Sequence, residues 1–79
     1  GRMEQPPSIW LAGEDEGRGM LGIFNWADGL ASIRLDHEAL RKLPAPFRDA
    51  WTGRSAFKSG LPGSIRLPGR SSRLLTYGV

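Results

Sequence analysis

The residues best suited to acid–base chemistry are three consecutive acids, Glu14, Asp15 and Glu16, which lie between two glycines. Hydrolysis of a glycoside needs two carboxylates held on rigid elements, about 5–10 Å apart across a cleft. A glycine-rich acidic segment is instead typical of a solvated turn. It also lacks the alternating ligand positions of a calcium-binding loop. We therefore expect neither a catalytic nor a metal-binding role for these acids.

The other residues that could carry chemistry are isolated. His37 is the only histidine, and a single histidine beside a helix start is typical of a surface residue. Ser71 and Ser72 lack the glycine-flanked elbow of a nucleophilic serine. No helix follows Gly17-Arg18-Gly19, so this segment does not resemble a phosphate loop. We expect no catalytic residue and no cofactor in this chain alone.

The chain contains no cysteine, which excludes disulfides and thiolate metal sites. A protein without disulfides suits the cytoplasm, and we favour that location. No run of about 18 apolar residues occurs, so the sequence predicts no membrane span.

Arginine and lysine are concentrated in residues 39–79, which hold eight of them against one acid, Asp49. A basic half of this kind could attract nucleic acid. The positive residues are scattered, however, with no basic run and no interleaved aromatic ladder. Dispersed charge is typical of a solvated face, so a nucleic-acid interaction module is the weakest of the hypotheses that we carry forward.

The three tryptophans, Trp10, Trp26 and Trp51, are numerous for a chain of 79 residues. If exposed, they could stack on sugar rings or contact a neighbouring domain. Each lies in a segment that looks like a strand, so we favour the interpretation that they fill the core. We expect Trp51 to anchor that core, with a cost of about 3–5 kcal/mol on truncation.

The elements that would position these residues are short strands separated by Gly/Pro turns. The segments predicted to be strands are residues 8–12, 20–26, 31–35, 47–52, 64–67 and 72–77. This pattern predicts an all-β fold, either a small antiparallel Greek-key folded sheet or a β-sandwich of six to eight strands. Residues 8–79 form the single domain, and residues 1–7 are interpreted as a linker or the edge of a larger protein.

Local patterns add detail at four places along the chain. The nearly continuous apolar run 20–26 predicts a central strand covered on both faces, with Gly22 at a close approach of another backbone or ring. Asp28-Gly29 predicts a hairpin turn. Residues 31–35 alternate, with Ala31, Ile33 and Leu35 on one face. Residues 36–43 are the only helix candidate, capped by Asp36.

Two polar residues have predicted structural roles. Asn25 follows an apolar strand and precedes Asp-Gly, so we expect its amide to bind exposed backbone groups of the turn. Asp49 is the only acid in the basic half, and we expect it to accept hydrogen bonds from an arginine or a turn N–H.

Two motifs occur in order along the chain. Phe24-Asn25-Trp26 ends an apolar strand and is followed by Asp28, and Arg48-Asp49-Ala50-Trp51-Thr52-Gly53 comes later. Together with Ile9-Trp10-Leu11 and an ending formed by Ser64 to Gly69 and Arg73 to Leu75, this ordered set resembles the C-terminal β-domain of melibiase-type α-galactosidases and related retaining glycoside hydrolases. The similarity extends from about Ile9 to Tyr77.

The resemblance implies an accessory domain that packs against a (β/α)₈ barrel of the same polypeptide and stabilises it. Both catalytic carboxylates would lie in that barrel, and none of its sequence is present here. Residues of the structural motif would be Phe24, Asn25, Trp26, Asp49, Trp51, Thr52 and Gly53. An alternative of another class is an autonomous carbohydrate-binding module that uses exposed tryptophans.

Overall fold

The computed structural model describes residues 7–78, and the expectation of a linker over residues 1–7 falls, apart from Pro7, outside them. The described chain contains seven strands and one short helix. In order they are β1 (Ile9–Asp15), β2 (Arg18–Asn25), β3 (Ala31–Arg34), α1 (Glu38–Arg41), β4 (Phe47–Asp49), β5 (Ser55–Phe57), β6 (Ser64–Leu67) and β7 (Ser71–Tyr77). The prediction of an all-β fold is confirmed.

The strands form two antiparallel sheets. The larger sheet has five strands in the order β1-β2-β7-β4-β5, and the smaller sheet pairs β3 with β6. The two sheets give a sandwich-like arrangement in which β2 and β7 are central strands of the larger sheet.

The core lies between the smaller sheet and one face of the larger sheet, which we call the inner face. Alternation along each strand places the odd-numbered residues of β2 and β7 on this face. The buried apolar side chains are Leu21, Ile23, Leu35, Leu40, Phe47, Leu67, Leu75 and Tyr77. Each fully buried side chain of this size contributes about 1.5–3 kcal/mol of transfer free energy.

The alternation predicted for residues 31–35 is confirmed. Ser32 and Arg34 are exposed, whereas Leu35 is buried and Ala31 and Ile33 are partly buried. Because one face of β3 packs on the core and the other meets solvent, the period of two in the sequence is retained in the structure.

The helix is shorter than predicted, and its cap is different. His37 occupies the N-cap position and makes no side-chain capping bond. Asp36 is not the cap, because its carboxylate accepts hydrogen bonds from Arg34 Nε and Nη2 at 3.2 and 2.6 Å. This pairing with Arg34 lowers the pKa of Asp36. None of the helices in residues 7–78 is long and apolar enough to cross a membrane.

The prediction of an Asp28-Gly29 hairpin is wrong. Strand β2 pairs with β1 and β7, whereas β3 pairs with β6, so Asp28-Gly29 connects the two sheets. The turn packs tightly on the turn before β7, since a Cβ at Gly69 would clash with the Asp28 carbonyl oxygen. Only glycine permits this approach between the two backbones.

Asn25 joins the two sheets at this point. Its side chain is 2% exposed, and Nδ2 donates to the carbonyl oxygens of Gly29, Leu67 and Pro68 at 2.9, 2.9 and 3.0 Å. Its Oδ1 accepts a hydrogen bond from Ala27 N at 3.0 Å. The predicted role of Asn25 is confirmed and extends beyond its own turn to the end of β6.

Candidate interaction surface

The second face of the five-stranded sheet, which we call the outer face, carries an apolar surface exposed to solvent. The register places Trp10 opposite Gly22 and Gly22 opposite Leu74 in one row across β1, β2 and β7. Met20 lies opposite Thr76 in the next row. The smaller sheet covers only the inner face, so the prediction that β2 is covered on both faces is wrong.

Three aromatic side chains form a cluster on the outer face. Phe24 and Trp26 stack with ring centroids 5.2 Å apart and planes inclined by 9°. Trp10 meets Phe24 edge-on at 6.2 Å. Both indole N–H groups donate to the same acceptor, the carbonyl oxygen of Pro7, at 3.1 Å from Trp10 and 2.9 Å from Trp26. We call Trp10, Phe24 and Trp26 the aromatic cluster.

Gly22 makes room for this cluster. A Cβ at position 22 would lie 2.8 Å from Phe24 Cε2 and 3.3 Å from Leu74 Cδ2. The Phe24 ring therefore lies over the glycine, where it shields the central strand. The prediction of a close approach at Gly22 is confirmed, and the approaching group is a ring.

The expectation that the tryptophans fill the core is wrong for all three. Trp10 is 52% exposed, Trp26 is 37% exposed and Trp51 is 82% exposed. Trp10 and Trp26 belong to the outer face, and Trp51 lies on the turn between β4 and β5. The core is instead built from inner-face side chains of the larger sheet and from three leucines outside that sheet. The first set is Leu21, Ile23, Phe47, Leu75 and Tyr77, and the second is Leu35, Leu40 and Leu67.

The segment from Arg48 to Arg54, which we call the β4–β5 tip, contains the second sequence motif. Asp49 Oδ1 accepts hydrogen bonds from Trp51 N at 2.8 Å and Thr52 N at 2.9 Å. These two backbone N–H bonds, that from Thr52 foremost, lower the pKa of Asp49. The expectation that Asp49 binds a turn N–H is confirmed. Asp49 thus organises the turn that displays Trp51.

The candidates for acid–base chemistry are not assembled into a catalytic constellation. Glu14 accepts a hydrogen bond from the Tyr77 hydroxyl at 3.4 Å, and Asp15 and Glu16 are exposed. Burial, together with the charge of Glu14, raises the pKa of Tyr77. His37 is exposed, and the Ser71 hydroxyl donates to the Pro68 carbonyl at 2.6 Å. Within residues 7–78 no group of His, Asp and Glu side chains could hold a metal ion.

A cleft beside α1 is the main alternative to the outer face as a binding site. It is lined by Leu35, Leu40, Phe47 and Leu61 and carries two ionisable side chains, Asp36 and Arg41. Asp36 is already bound by Arg34, so the cleft presents no pair of groups that could transfer a proton to or from a ligand.

On the outer face the structure brings together Met20, Leu74 and Arg48, of which Met20 lies outside the sequence motifs. Met20 is 40% exposed, Leu74 is half-buried, and Arg48 lies opposite Thr76 on the outer face. The alternation of faces along β2 could have identified Met20, since Met20, Gly22 and Phe24 share one face of that strand. A comparison of the chain with known protein families, curated proteins and solved structures finds no match.

Proposed function

We propose that this chain is the C-terminal accessory β-domain of a glycoside hydrolase of the melibiase-type α-galactosidase kind, in which it packs against the catalytic (β/α)₈ barrel and stabilises it. The observation that carries the proposal is the exposed apolar outer face. A contiguous apolar surface on a small domain is typical of an interface.

The chemistry of the aromatic cluster favours packing against a protein surface. Both indole N–H groups already have an acceptor in Pro7. A partner could therefore cover Trp10 and Trp26 without leaving a buried donor unpaired, which would otherwise cost about 1–3 kcal/mol for each group. Stacking on Phe24 also occupies one face of the Trp26 ring.

The ordered motifs support the identity of the partner. The first motif spans the end of β2, where Asn25 binds the backbone of the following turn. The second spans the end of β4 and the turn that Asp49 binds. Each motif therefore contains the polar residue that stabilises its turn. In this proposal the barrel of the same polypeptide supplies both catalytic carboxylates, and this domain supplies none.

The test begins with the reading frame upstream of Gly1, which should encode a barrel with two carboxylates at the ends of its strands. Removal of this domain from that polypeptide should lower its melting temperature. A Met20→Glu change on the outer face should also lower the melting temperature of the full polypeptide while leaving the isolated 79-residue chain folded. Ser32→Glu, at an exposed position of β3, is the matched control. An upstream frame without a barrel, or glycoside hydrolysis by the 79-residue chain itself, would contradict the proposal.

A second candidate function is an autonomous carbohydrate-binding module. The observation that favours it is the 82% exposure of Trp51, whose indole could stack on the apolar face of a sugar ring. Electrophoresis of the folded chain through gels containing galactomannan or starch tests this candidate. Retardation that Trp51→Ala abolishes would support it, and unchanged mobility in both gels would remove it.

A further inference from the structure

The β4–β5 tip lies at the surface, and its backbone is held by hydrogen bonds. Besides the two bonds to Asp49 Oδ1, Gly53 N donates to the Asp49 carbonyl at 2.8 Å, and Asp49 N donates to the Arg54 carbonyl at 2.8 Å. Thr52 Oγ1 accepts a hydrogen bond from Arg54 N at 3.2 Å. Gly53 adopts φ 74°, a conformation that favours glycine. These five hydrogen bonds within the tip hold the backbone that carries Trp51.

The hydrogen-bonded backbone of the tip holds the large apolar side chain of Trp51 in solvent. Trp51 has the highest exposure among the large apolar side chains of the described chain, at 82%, so its indole contributes little to the core. A turn ordered in advance loses little conformational entropy on binding. Tryptophan and arginine are also the residue types enriched where interfaces gain most of their binding energy.

The charge around Trp51 is positive. Arg48 precedes it by three residues and Arg54 follows it by three, and both are exposed. Neither arginine forms an ion pair with another residue of the described range 7–78. The nearby Asp49 carboxylate is occupied by two backbone N–H groups. Trp51 is therefore flanked along the chain by two exposed arginines whose charges are not neutralised by an ion pair within residues 7–78, and this composition complements an apolar pocket bordered by carboxylates.

The tip is continuous with the outer face. Arg48 lies opposite Thr76, and Ala50 N donates to the Leu74 carbonyl at 3.0 Å. The backbone of the turn thus extends the row that contains Trp10, Gly22 and Leu74. A partner that covers the outer face would reach the tip at the same time.

We propose that the β4–β5 tip is a distinct anchor in which Trp51 inserts into an apolar pocket of the barrel domain, with acidic residues at the pocket rim bound by Arg48 and Arg54. This inference rests on the proposed function and specifies the partner surface. The outer face could pack against the barrel without this contact, so anchoring by Trp51 is a separate role of the tip.

Oxidative footprinting with mass spectrometry tests the proposal on the full polypeptide and on the 79-residue chain. The oxidation rate of Trp51 should fall about tenfold or more in the full polypeptide, as expected for a side chain that passes from exposed to desolvated. His37, which is exposed and occupies the N-cap position of α1, is the internal control and should keep its rate. Arg48→Glu combined with Arg54→Glu should restore the oxidation rate of Trp51 in the full polypeptide to that of the 79-residue chain. Arg66→Glu, at an exposed position of β6, should not restore it.

The outcomes separate this inference from the proposed function. Protection of Trp10, Trp26 and Trp51 together supports both. Protection of Trp10 and Trp26 with Trp51 still reactive overturns the anchor and leaves the accessory-domain proposal intact. A barrel polypeptide in which none of the three is protected overturns both, as does an upstream frame that encodes no barrel. Protection of Trp51 that survives the double arginine change overturns the acidic rim.

Discussion

Asn25 and Leu67 are joined by a buried hydrogen bond of 2.9 Å from the Asn25 side-chain nitrogen to the Leu67 carbonyl oxygen. The two residues are 42 positions apart, at the end of β2 in the larger sheet and the end of β6 in the smaller sheet. One amide therefore connects the two layers at the edge of the core.

Asn25→Ala should destabilise the 79-residue chain by about 3 kcal/mol, because it removes the hydrogen bonds that the buried amide donates to the carbonyl oxygens of Gly29, Leu67 and Pro68. Urea unfolding followed by circular dichroism measures this change. Ser32→Ala at an exposed position of β3 is the control and should stay within about 0.5 kcal/mol of the unmodified chain. Equal stability of the two variants would contradict the connecting role of Asn25.

Gly22→Ala should displace the Phe24 ring, since the new methyl group would lie 2.8 Å from Phe24 Cε2. We expect a destabilisation of about 1 kcal/mol, typical of mild overpacking, and a change in the near-ultraviolet circular dichroism of the aromatic cluster. Gly29→Ala is the matched control, because a Cβ there meets nothing within 4 Å. A near-ultraviolet spectrum identical to that of the unmodified chain would mean that the ring does not lie over Gly22.

Trp51→Ala should change the free energy of unfolding of the isolated chain by no more than about 0.5 kcal/mol, because the indole is already in solvent. Phe47→Ala, which removes a ring that is 1% exposed, should cost about 3–5 kcal/mol in the same urea titration. A large loss of stability for Trp51→Ala would restore the sequence-based expectation that this residue anchors the core.

Asp49→Asn should reduce the acid sensitivity of the fold. Backbone N–H groups of Thr52 and Trp51 lower the pKa of Asp49 in the folded chain. The unfolded chain therefore takes up this proton at higher pH, near the ordinary value of about 3.9. The stabilisation by the ionised form is complete above that value and is lost as pH falls through the lower folded pKa.

The unfolding midpoint in urea, measured from pH 5 to pH 2, tests this expectation. The unmodified chain should lose more stability over the acidic part of this range than Asp49→Asn, which has no carboxyl group to protonate at this position. Asp15→Asn is the comparison variant, because this exposed carboxylate lies at the end of β1 and outside the β4–β5 tip. A pH profile of Asp49→Asn that parallels the unmodified chain would contradict the role of the carboxylate in ordering the turn.

Local features were predictable from sequence because they depend on neighbouring residues. Alternation in residues 31–35 predicts which face of β3 packs on the core, and the glycine and proline turns predict an all-β chain. The roles of Asn25 and Asp49 also follow from short-range geometry, since each bonds a backbone N–H two residues later. The longer-range bonds of Asn25 to Leu67 and Pro68 could not be read from its neighbours.

The sequence by itself determined that this chain forms short antiparallel strands without cysteine, with polar residues that close specific turns. Only the tertiary structure decided which face of β2 is covered. Leu21 and Ile23 on one face and Phe24 on the other are all apolar, so the pattern favours neither face. The β3–β6 sheet packs on the odd-numbered face because Leu35 and Leu67 contribute to the core there, and the aromatic cluster consequently remains in solvent.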